Sequence, residues 1–350
     1  MPSELTVPVV KVLDVNEHPN ADRLEIASVL GWKCVIGKRS LSRGDLVFYF
    51  PIDSIIQDDV AIKLGVKEYL GGRDNNVVKA VNLRGVKSFG LAVPVDADLF
   101  PNAKEGDNFA EYFKIKRYQS RDRIKKSPDA EKQNPLFYKY CSINHLNNHP
   151  DAIGSEDVVF VTEKIHGSNF KIGIINGEIV AGSNRVQRKK PKNQGDGIRN
   201  PFWHAYYGDE KFSRMILKLQ EKGEYSQVLI YGEVYGPEIQ RMPYGLTKGC
   251  INYLLFDVMV DGIYLPYHEM VKFFESFGIG KDKLVHLIYE GKFDSDKIKN
   301  MANGESYVDG CTHYREGIVI KCKNEYDKER YKDRRIFKVI GDSYALNVPI

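Results

Sequence analysis

Residues 159–175 place the strongest single constraint on how this chain can fold. An apolar stretch that begins at Val159 runs into Glu163 and Lys164, is interrupted by His-Gly-Ser-Asn, and continues as a second apolar stretch that ends at Ile175. Two such stretches around a short polar turn predict two consecutive apolar strands. The pattern therefore places a lysine at the end of a strand, with polar side chains gathered in the turn behind it.

A lysine in that position has two interpretations, a surface residue or a covalent nucleophile. The second role requires a lowered pKa, which neighbouring cations or a metal ion can supply. In that state the Lys164 amine could attack the α-phosphate of a nucleoside triphosphate. The turn alone does not decide between the two roles.

Length and composition exclude several classes of protein. With 350 residues, 42% hydrophobic and 28% charged, the chain is long enough for two domains and has the composition of a globular protein rather than a disordered one. Its longest apolar stretches, such as Ile251–Val260, are broken by polar residues and fall short of the roughly 18–20 residues of a membrane span. The N-terminus has no basic segment followed by an apolar one, so we expect neither a secretory signal nor a membrane partner.

The five cysteines are scattered singly, without CxxC spacing. An odd number in this arrangement argues against a disulfide framework and against a cysteine zinc site. Reduced thiols favour the cytoplasm or another reduced intracellular compartment.

The first 113 residues predict short strands separated by turns. Leu24–Leu30 alternates as a half-buried strand does, Leu46–Phe50 is a second strand that stops at a proline, and 83–91 carries glycines suited to bulges. Strands of this length and spacing predict a small OB-like β-barrel over 1–113.

A basic segment separates this region from the rest. Between 114 and 126 the chain carries seven basic residues against one acidic residue, and a polar stretch then runs to 134. The composition predicts a linker over 114–134, either solvated or acting as an arm that contacts phosphates. From 135 to 350, helices and strands alternate as in an α+β catalytic domain.

Common nucleotide and hydrolase motifs are absent: the chain has no GxxxxGK(S/T), no GxGxxG after a strand, no HExxH and no GxSxG. Other segments instead follow the 164–169 turn in a fixed order. They are Ser183–Arg185, Tyr231–Gly236, Tyr253–Val258, Glu316–Lys321 and Arg334–Ile340.

Together these six elements resemble the motifs of the covalent nucleotidyltransferases, the superfamily of DNA ligases, RNA ligases and mRNA capping enzymes. At position 166 the chain has His where DNA ligases usually carry Asp, and in this respect it resembles the RNA-sealing branch. With a barrel before the catalytic domain, the whole chain resembles the ATP-dependent, nick-sealing RNA ligases with an N-terminal OB domain, often called RNA ligase family five. The resemblance implies an α+β fold: an OB-like barrel that binds RNA, then an ATP-grasp-like adenylyltransferase domain of antiparallel sheets and helices.

The resemblance also implies site residues. Lys164 would attack the α-phosphate of ATP and form lysine–AMP, and His166, Asn169 and Lys338 would complete the catalytic set. The ATP-binding set would be Glu163, Lys164, Asn169, Arg185, Glu233, Phe256, Lys321 and Lys338. Glu233 and Glu316 would hold Mg²⁺ or Mn²⁺, for which carboxylate ligands are suited.

Two assignments stay open. Arg188 competes with Arg185 for the same role. The fifth motif often has two lysines two residues apart, but the positions flanking Lys338 at that distance are Ile336 and Ile340.

The expected function is an ATP-dependent RNA ligase that joins a 3′-OH to a 5′-phosphate at a nick in an RNA duplex, acting as a monomer. The alternatives are an mRNA guanylyltransferase, a DNA ligase, and a non-catalytic RNA-binding protein with a decayed ligase domain. A cluster of basic side chains could bind phosphates near the nick without reading sequence; its members are Arg185, Arg188, Lys189, Lys190 and Lys192. The mixed-charge run Asn324–Arg335 predicts a solvated helix or loop.

Overall fold

The computed structural model describes residues 5–72, 74–118, 128–240, 242–342 and 344. The chain forms two compact units, 1–124 and 125–350. The division falls inside the predicted linker 114–134, whose residues 119–127 lie outside the described residues, as do four of its seven basic side chains.

The first unit is built almost entirely of short strands. Its elements are β1 Val9–Lys11, β2 Asp14–Glu17, β3 Leu24–Val29, β4 Trp32–Gly37, β5 Leu46–Phe50, β6 Ser54–Ile55, α1 Asp58–Lys63, β7 Val81–Leu83, β8 Val86–Ser88, β9 Leu91–Pro94 and β10 Lys116–Arg117. They pair antiparallel as β1-β5-β9, β2-β3-β4, β6-β10 and β7-β8.

Strand β5 is buried on both faces, which explains why its sequence is apolar throughout. Val47 and Tyr49 pack into one core cluster, while Phe48 and Phe50 pack into another on the opposite face. Because successive side chains of a strand point to opposite faces, a strand that is buried on both faces has to be apolar throughout.

The second unit carries the predicted motifs. Its elements are β11 Asn144–His145, β12 Val158–Lys164, β13 Ser168–Ile175, β14 Glu178–Ser183, β15 Gln187–Arg188, α2 Gln194–Arg199, α3 His204–Gly208, α4 Glu210–Lys222, β16 Gln227–Tyr235, β17 Asn252–Val260, β18 Ile263–Tyr264, α5 Tyr267–Ser276, β19 Leu287–Lys292, α6 Ser295–Asn300, β20 Gly317–Cys322 and β21 Ile336–Ile340. Single 3₁₀ turns lie at Lys67–Tyr69 in the first unit and at Leu146–Asn148, Pro150–Ala152 and Lys281–Lys283 in the second.

Two sheets organise this unit. One has six antiparallel strands in the order β15-β14-β13-β16-β17-β18, and the other has five in the order β11-β21-β20-β12-β19, antiparallel except for the β11–β21 pair. The two consecutive strands predicted over 159–175 are present as β12 and β13, but they belong to different sheets. The polar turn between them therefore crosses from one sheet to the other, and its side chains lie where the sheets meet.

Helix α4 covers the six-stranded sheet and shows why the chain is helical there. The Asp209 carboxylate accepts hydrogen bonds from the first-turn amides of Lys211 and Phe212, and Gly223, with φ of 60°, ends the helix in the left-handed conformation. Between these caps, apolar residues at helical spacing join the core of the sheet: Phe212, Met215, Ile216 and Leu219. The α+β class predicted from the sequence is confirmed.

Within the described ranges no helix is both long enough and apolar enough to cross a bilayer.

Candidate active site

Strand pairing brings the first and fourth motifs together. Lys164, the last residue of β12, lies opposite Gly317, the first residue of β20. Glu316 immediately precedes β20, and its Oε2 accepts a hydrogen bond from Lys164 Nζ over 2.7 Å. The side chains are 23% and 12% exposed, so this ion pair is open to solvent on one side.

Glycine is required at two points of this framework because strands approach too closely for a side chain. A Cβ at Gly167 would lie 2.2 Å from the carbonyl oxygen of Val234, and a Cβ at Gly317 would lie 2.1 Å from that of Val339. At Gly167 and Gly317, therefore, any larger residue would clash with the neighbouring strand.

His166 is anchored at both its backbone and its ring. Its amide donates to the hydroxyl of Tyr244 over 2.7 Å. Its ring Nδ1 lies 3.0 Å from the hydroxyl of Tyr344 and 3.6 Å from Oε2 of Glu316.

A cavity of about 100 Å³ opens beside Lys164. Its lining includes six of the predicted site residues, and both sheets contribute to it. The lining residues are Tyr140, Ile143, Thr162, Glu163, Lys164, Ile165, Asn169, Glu233, Phe256, Val285, Val319 and Lys321.

Asn169 and Glu233 face each other across the β13–β16 pair. Among the described residues, the buried Oδ1 of Asn169 has no hydrogen-bond partner. Burial raises the pKa of Glu233 to about 8; the nearby Lys164 ammonium lowers it, and the Glu316 carboxylate raises it. An unpaired acceptor and a carboxylate that is costly to ionise suit a site that receives a cation or a hydrogen-bond donor from a ligand.

Phe256 is presented by a β-bulge. The β16–β17 pairing steps from Tyr231–Asp257 to Gly232–Leu255, which leaves Phe256 as the extra residue. Its ring contacts that of Tyr140 edge-on, with centroids 5.0 Å apart, and it lines the cavity. The half-buried ring is thus placed where a base can stack.

Glu163 is 1% exposed, and both its carboxylate oxygens are engaged. Oε1 accepts from the Ser306 hydroxyl over 2.6 Å, and Oε2 accepts from the amide of Tyr307 over 2.8 Å. Burial raises the pKa of this carboxyl, while the two hydrogen bonds lower it. Each oxygen can accept a second hydrogen bond, so the predicted contact with an adenine amino group is chemically compatible with this arrangement.

Lys321 lines the cavity but already has partners. Its Nζ donates to the carbonyl of Phe256 over 2.6 Å and lies 3.0 Å from Oδ2 of Asp257. The same oxygen accepts from the Tyr140 hydroxyl over 2.7 Å and from Arg334 Nη1 over 2.6 Å. Burial raises the pKa of Asp257, but the adjacent Arg334 and Lys321 cations outweigh it, so that the pKa lies below its usual range.

This cluster corrects one expectation. The run Asn324–Arg335 is not simply solvated, because Glu325, Arg334 and Arg335 are buried. Arg334 also pairs with Glu325, and Arg335 pairs with Asp157 and donates to the carbonyl of Ala152 over 3.0 Å. The mixed charge of this run predicted exposure to solvent. In the structure Arg334 and Arg335 are buried because each pairs with a carboxylate.

Lys338 lies opposite Val319 in the β20–β21 pair, and Val319 lies opposite Thr162 of β12. Because residues opposite each other share a face of the sheet, Lys338 is on the face that carries Thr162 and Lys164. Lys321 lies opposite Ile336 on this same face, so a second ammonium comes from the neighbouring strand rather than from the fifth motif.

Arg185 and Arg188 differ in their surroundings. Arg185 is exposed in the turn between β14 and β15. Arg188 is half-buried, pairs with Asp129 over 2.6 Å and lies over the ring of Phe202. Of the two, Arg185 is the side chain that solvent and ligands can reach.

The described residues contain no group of three or more His, Cys, Asp or Glu that could hold a metal. A divalent ion at Glu233 and Glu316 would therefore complete its coordination with phosphate oxygens and water, as Mg²⁺ usually does. Two carboxylates beside Lys164 fit that donor set.

Several residues that contact this site lie outside the sequence prediction: Tyr140, Tyr244, Asp257 and Tyr344. Asp257 carried a signal, since it is a lone carboxylate in an otherwise apolar strand. The tyrosines carried none, because an aromatic residue in a loop or at a chain end has no distinctive pattern.

Comparison with known proteins places these observations in a class. A family model for RNA ligases matches residues 157–340, and a model for an OB-fold domain matches residues 6–95. The chain belongs to the RNA ligase family, and the predicted OB fold of the first unit is confirmed.

Solved structures of the Naegleria gruberi RNA ligase share the fold. A mutant with AMP and Mn is 22% identical with a TM-score of 0.71, and the match covers 97% of each chain. A mutant with ATP and Mn is 23% identical with a TM-score of 0.72, covering 97% of this chain and 98% of that one. The same ligase with PPi is 23% identical with a TM-score of 0.70, covering 98% of both. Among curated proteins, none matches the chain.

Proposed function

We propose that this protein is an ATP-dependent RNA ligase that seals 3′-OH/5′-phosphate nicks in RNA duplexes through a covalent lysine–AMP on Lys164. The observation that carries the proposal is the Lys164 ammonium, paired with Glu316 and partly exposed at the edge of a cavity that contains an aromatic ring on a bulge. Structures of the similar Naegleria gruberi ligase contain ATP, AMP, PPi and Mn, which supports the same nucleotide and metal class here.

The first step would form a bond between Lys164 Nζ and the α-phosphorus of ATP, while the bond to pyrophosphate breaks. Glu316 Oε2, 2.7 Å from Nζ, orients the lysine and can accept the proton that the amine must lose. Lys338, on the same sheet face, would stabilise the negative charge that leaves with pyrophosphate.

Base and sugar contacts come from both sheets. Phe256 would stack on adenine, and Glu163 would accept a hydrogen bond from the adenine amino group. The unpaired Oδ1 of Asn169 is available to a ribose hydroxyl. Lys321 would contribute positive potential from within its ion pair with Asp257.

Glu233 and Glu316 would hold Mg²⁺ or Mn²⁺. Such an ion, when bound, neutralises phosphate charge and polarises the reacting phosphate.

In the second step AMP would pass from Lys164 to the RNA 5′-phosphate, and in the third the 3′-OH would attack and release AMP. The exposed cations Arg185, Lys189 and Lys190 lie together around β15 and would contact RNA phosphates. The OB domain would add contacts to the duplex, because this fold commonly binds oligonucleotides.

The test is incubation of the purified chain with α-labelled ATP or GTP and Mg²⁺ or Mn²⁺, followed by denaturing gel and peptide mapping. We expect an acid-labile AMP adduct on Lys164 that is discharged by nicked RNA with a 5′-phosphate and is followed by joined product. A GMP adduct would indicate a guanylyltransferase. A folded protein that forms neither adduct would be an RNA-binding module without activity.

A matched comparison of nicked substrates tests the RNA assignment. Duplexes that differ only in whether the 3′-OH strand is RNA or DNA should be joined at different rates, with RNA preferred. Equal joining of the two duplexes would overturn the assignment of RNA to the 3′-OH side of the nick.

A further inference from the structure

Tyr344 lies beyond the last motif, yet it contacts the first one. After β21 the amide of Gly341 donates to the carbonyl of Glu316 over 3.0 Å. A Cβ at Gly341 would lie 2.4 Å from the carbonyl oxygen of Ala302, so the chain passes there only without a side chain. This close passage beside Glu316 brings the half-buried Tyr344 to the polar turn.

The contact with His166 is specific in its geometry. The Tyr344 hydroxyl lies 3.0 Å from Nδ1 of His166, and the two ring centroids are 5.7 Å apart. The His166 amide is held separately by Tyr244, so backbone and ring are fixed by different side chains.

Because Nδ1 of His166 contacts the protein, Nε2 is the ring nitrogen that a ligand can reach. Nδ1 faces both Tyr344 and Glu316, whereas Nε2 of His166 has no hydrogen-bond partner among the described residues. Lys164 already has its own partner in Glu316, and His166 Nδ1 is 3.6 Å from that carboxylate, beyond hydrogen-bond distance. Because Glu316 can take the proton of Lys164 in the first attack, the imidazole is assigned to the later step in which AMP leaves Lys164.

We infer that Tyr344 is a positioning residue that holds the His166 imidazole with Nε2 toward the phosphate during transfer of AMP from Lys164 to RNA. This inference rests on the proposed function. In that step an oxygen of the RNA 5′-phosphate forms a bond to the phosphorus of lysine–AMP, and the phosphorus–nitrogen bond breaks. The electron pair returns to Lys164, which takes a proton from solvent, to which 23% of its side chain is exposed.

The experiment compares the two steps in Tyr344→Phe, which keeps the ring and removes only the hydroxyl. Purified enzyme is first labelled with α-labelled ATP, and the rate of adduct formation is measured. The isolated adduct is then chased with nicked RNA that bears a 5′-phosphate. Tyr225→Phe, which removes the hydroxyl of an exposed tyrosine between α4 and β16, is the matched control.

We expect adduct formation within about twofold of wild type and a chase slowed roughly tenfold, the size of one lost hydrogen bond in the transition state. The Tyr225→Phe variant should match wild type in both steps. Equal slowing of both steps in Tyr344→Phe, or a chase at the wild-type rate, would overturn the inference.

A second measurement separates positioning from a general packing role. In a His166→Ala background, adding Tyr344→Phe should slow the chase no further, because the hydroxyl acts only through the imidazole. Additive slowing would show that Tyr344 acts independently of His166. If wild type forms no adduct, or an adduct that RNA does not discharge, the proposed function itself fails, which is a different result from a Tyr344 variant behaving like wild type.

Discussion

The Lys164–Glu316 pair and the cluster around Asp257 contain the same kinds of charged groups in different surroundings. Lys164 and Glu316 are 23% and 12% exposed and have one strong contact with each other. Asp257 is fully buried and is bonded by a lysine, an arginine and a tyrosine. The first arrangement can exchange its protein partner for a ligand, whereas the second has no exposure through which to do so.

The difference indicates that the Lys164–Glu316 pair is suited to bind a ligand, whereas the cluster around Asp257 stabilises the fold. A charge pair near solvent costs little to open, because water and a ligand can replace the partner. A buried charge that loses its partner keeps the full desolvation cost. We therefore expect changes at the first pair to affect catalysis and changes at the second to affect folding.

The largest effect is expected for Lys164→Ala, which should abolish the AMP adduct and lower the free energy of unfolding by less than Asp257→Ala does, because the pair is partly open to solvent. Adduct formation with labelled ATP and thermal unfolding measure the two quantities. Lys164→Arg is the control, since its guanidinium keeps the ion pair but is not a nucleophile at neutral pH. Labelled AMP still attached to the alanine variant would refute the assignment of the nucleophile.

Next comes Asp257→Ala, which leaves Arg334 and Lys321 buried without their carboxylate. We expect a loss of about 3–5 kcal/mol in the free energy of unfolding, measured by denaturant titration. Asp257→Asn keeps the shape and removes only the charge, so most of the loss should persist there. A loss below about 1 kcal/mol would mean that the cluster around Asp257 does not stabilise the fold. It would contradict the contrast drawn with the Lys164–Glu316 pair.

Phe256→Ala tests whether the bulge presents a ring for stacking. ATP use should weaken by about 1–3 kcal/mol, the size of a base–aromatic stack, seen as a higher ATP concentration for half-maximal adduct formation. Phe256→Leu, which preserves apolar volume without an aromatic face, should show a similar loss. Unchanged ATP dependence in both variants would mean that Phe256 packs in the hydrophobic core and does not stack on the base.

The smallest effect concerns His145, which is buried and lies opposite Lys338 in the β11–β21 pair. Burial, reinforced by the nearby Lys338 and Lys299 ammonium groups, lowers the pKa of His145 to about 3. The unfolded chain therefore binds a proton below about pH 6.5 that the folded chain does not bind, so stability is lost as pH falls from 6.5 toward 3.

His145 Nδ1 accepts a hydrogen bond from the amide of Asn147 over 3.2 Å. His145→Asn keeps a side chain that can accept this bond but cannot titrate. Between pH 6 and 4, wild type should lose up to about 1.4 kcal/mol per pH unit more than the variant, as measured by denaturant titration at each pH. Parallel pH profiles would show that His145 is not a neutral buried group.

Much of the site could be predicted from sequence because its chemistry sits in short segments. Lys164, Glu233, Phe256 and Glu316 each lie at or beside a strand in a motif with a distinct order of charged, glycine and apolar residues. In the structure Lys164, Glu233 and Phe256 line one cavity, and Glu316 pairs with Lys164 beside it.

Other features could not be predicted because they depend on contacts between distant segments. Tyr140 and Asp257 are 117 residues apart, and His166 and Tyr344 are 178 apart. The burial of Arg334 was predicted wrongly, since a charged residue in a mixed-charge run indicates solvent unless its partner is known. The bulge at Phe256 depends on the register with β16, which alternation within β17 does not reveal.

The sequence by itself determined the family, the α+β class, the nucleophile expected at Lys164 and the glycines that mark its turn, because local patterns of apolar, charged and small residues specify strands, turns and motif chemistry. Only the tertiary structure decided that β12 and β13 enter different sheets, that Lys321 is neutralised by Asp257, and that Tyr344 reaches His166. Pairing register and burial are properties of the whole domain, since each depends on which remote segment supplies the partner.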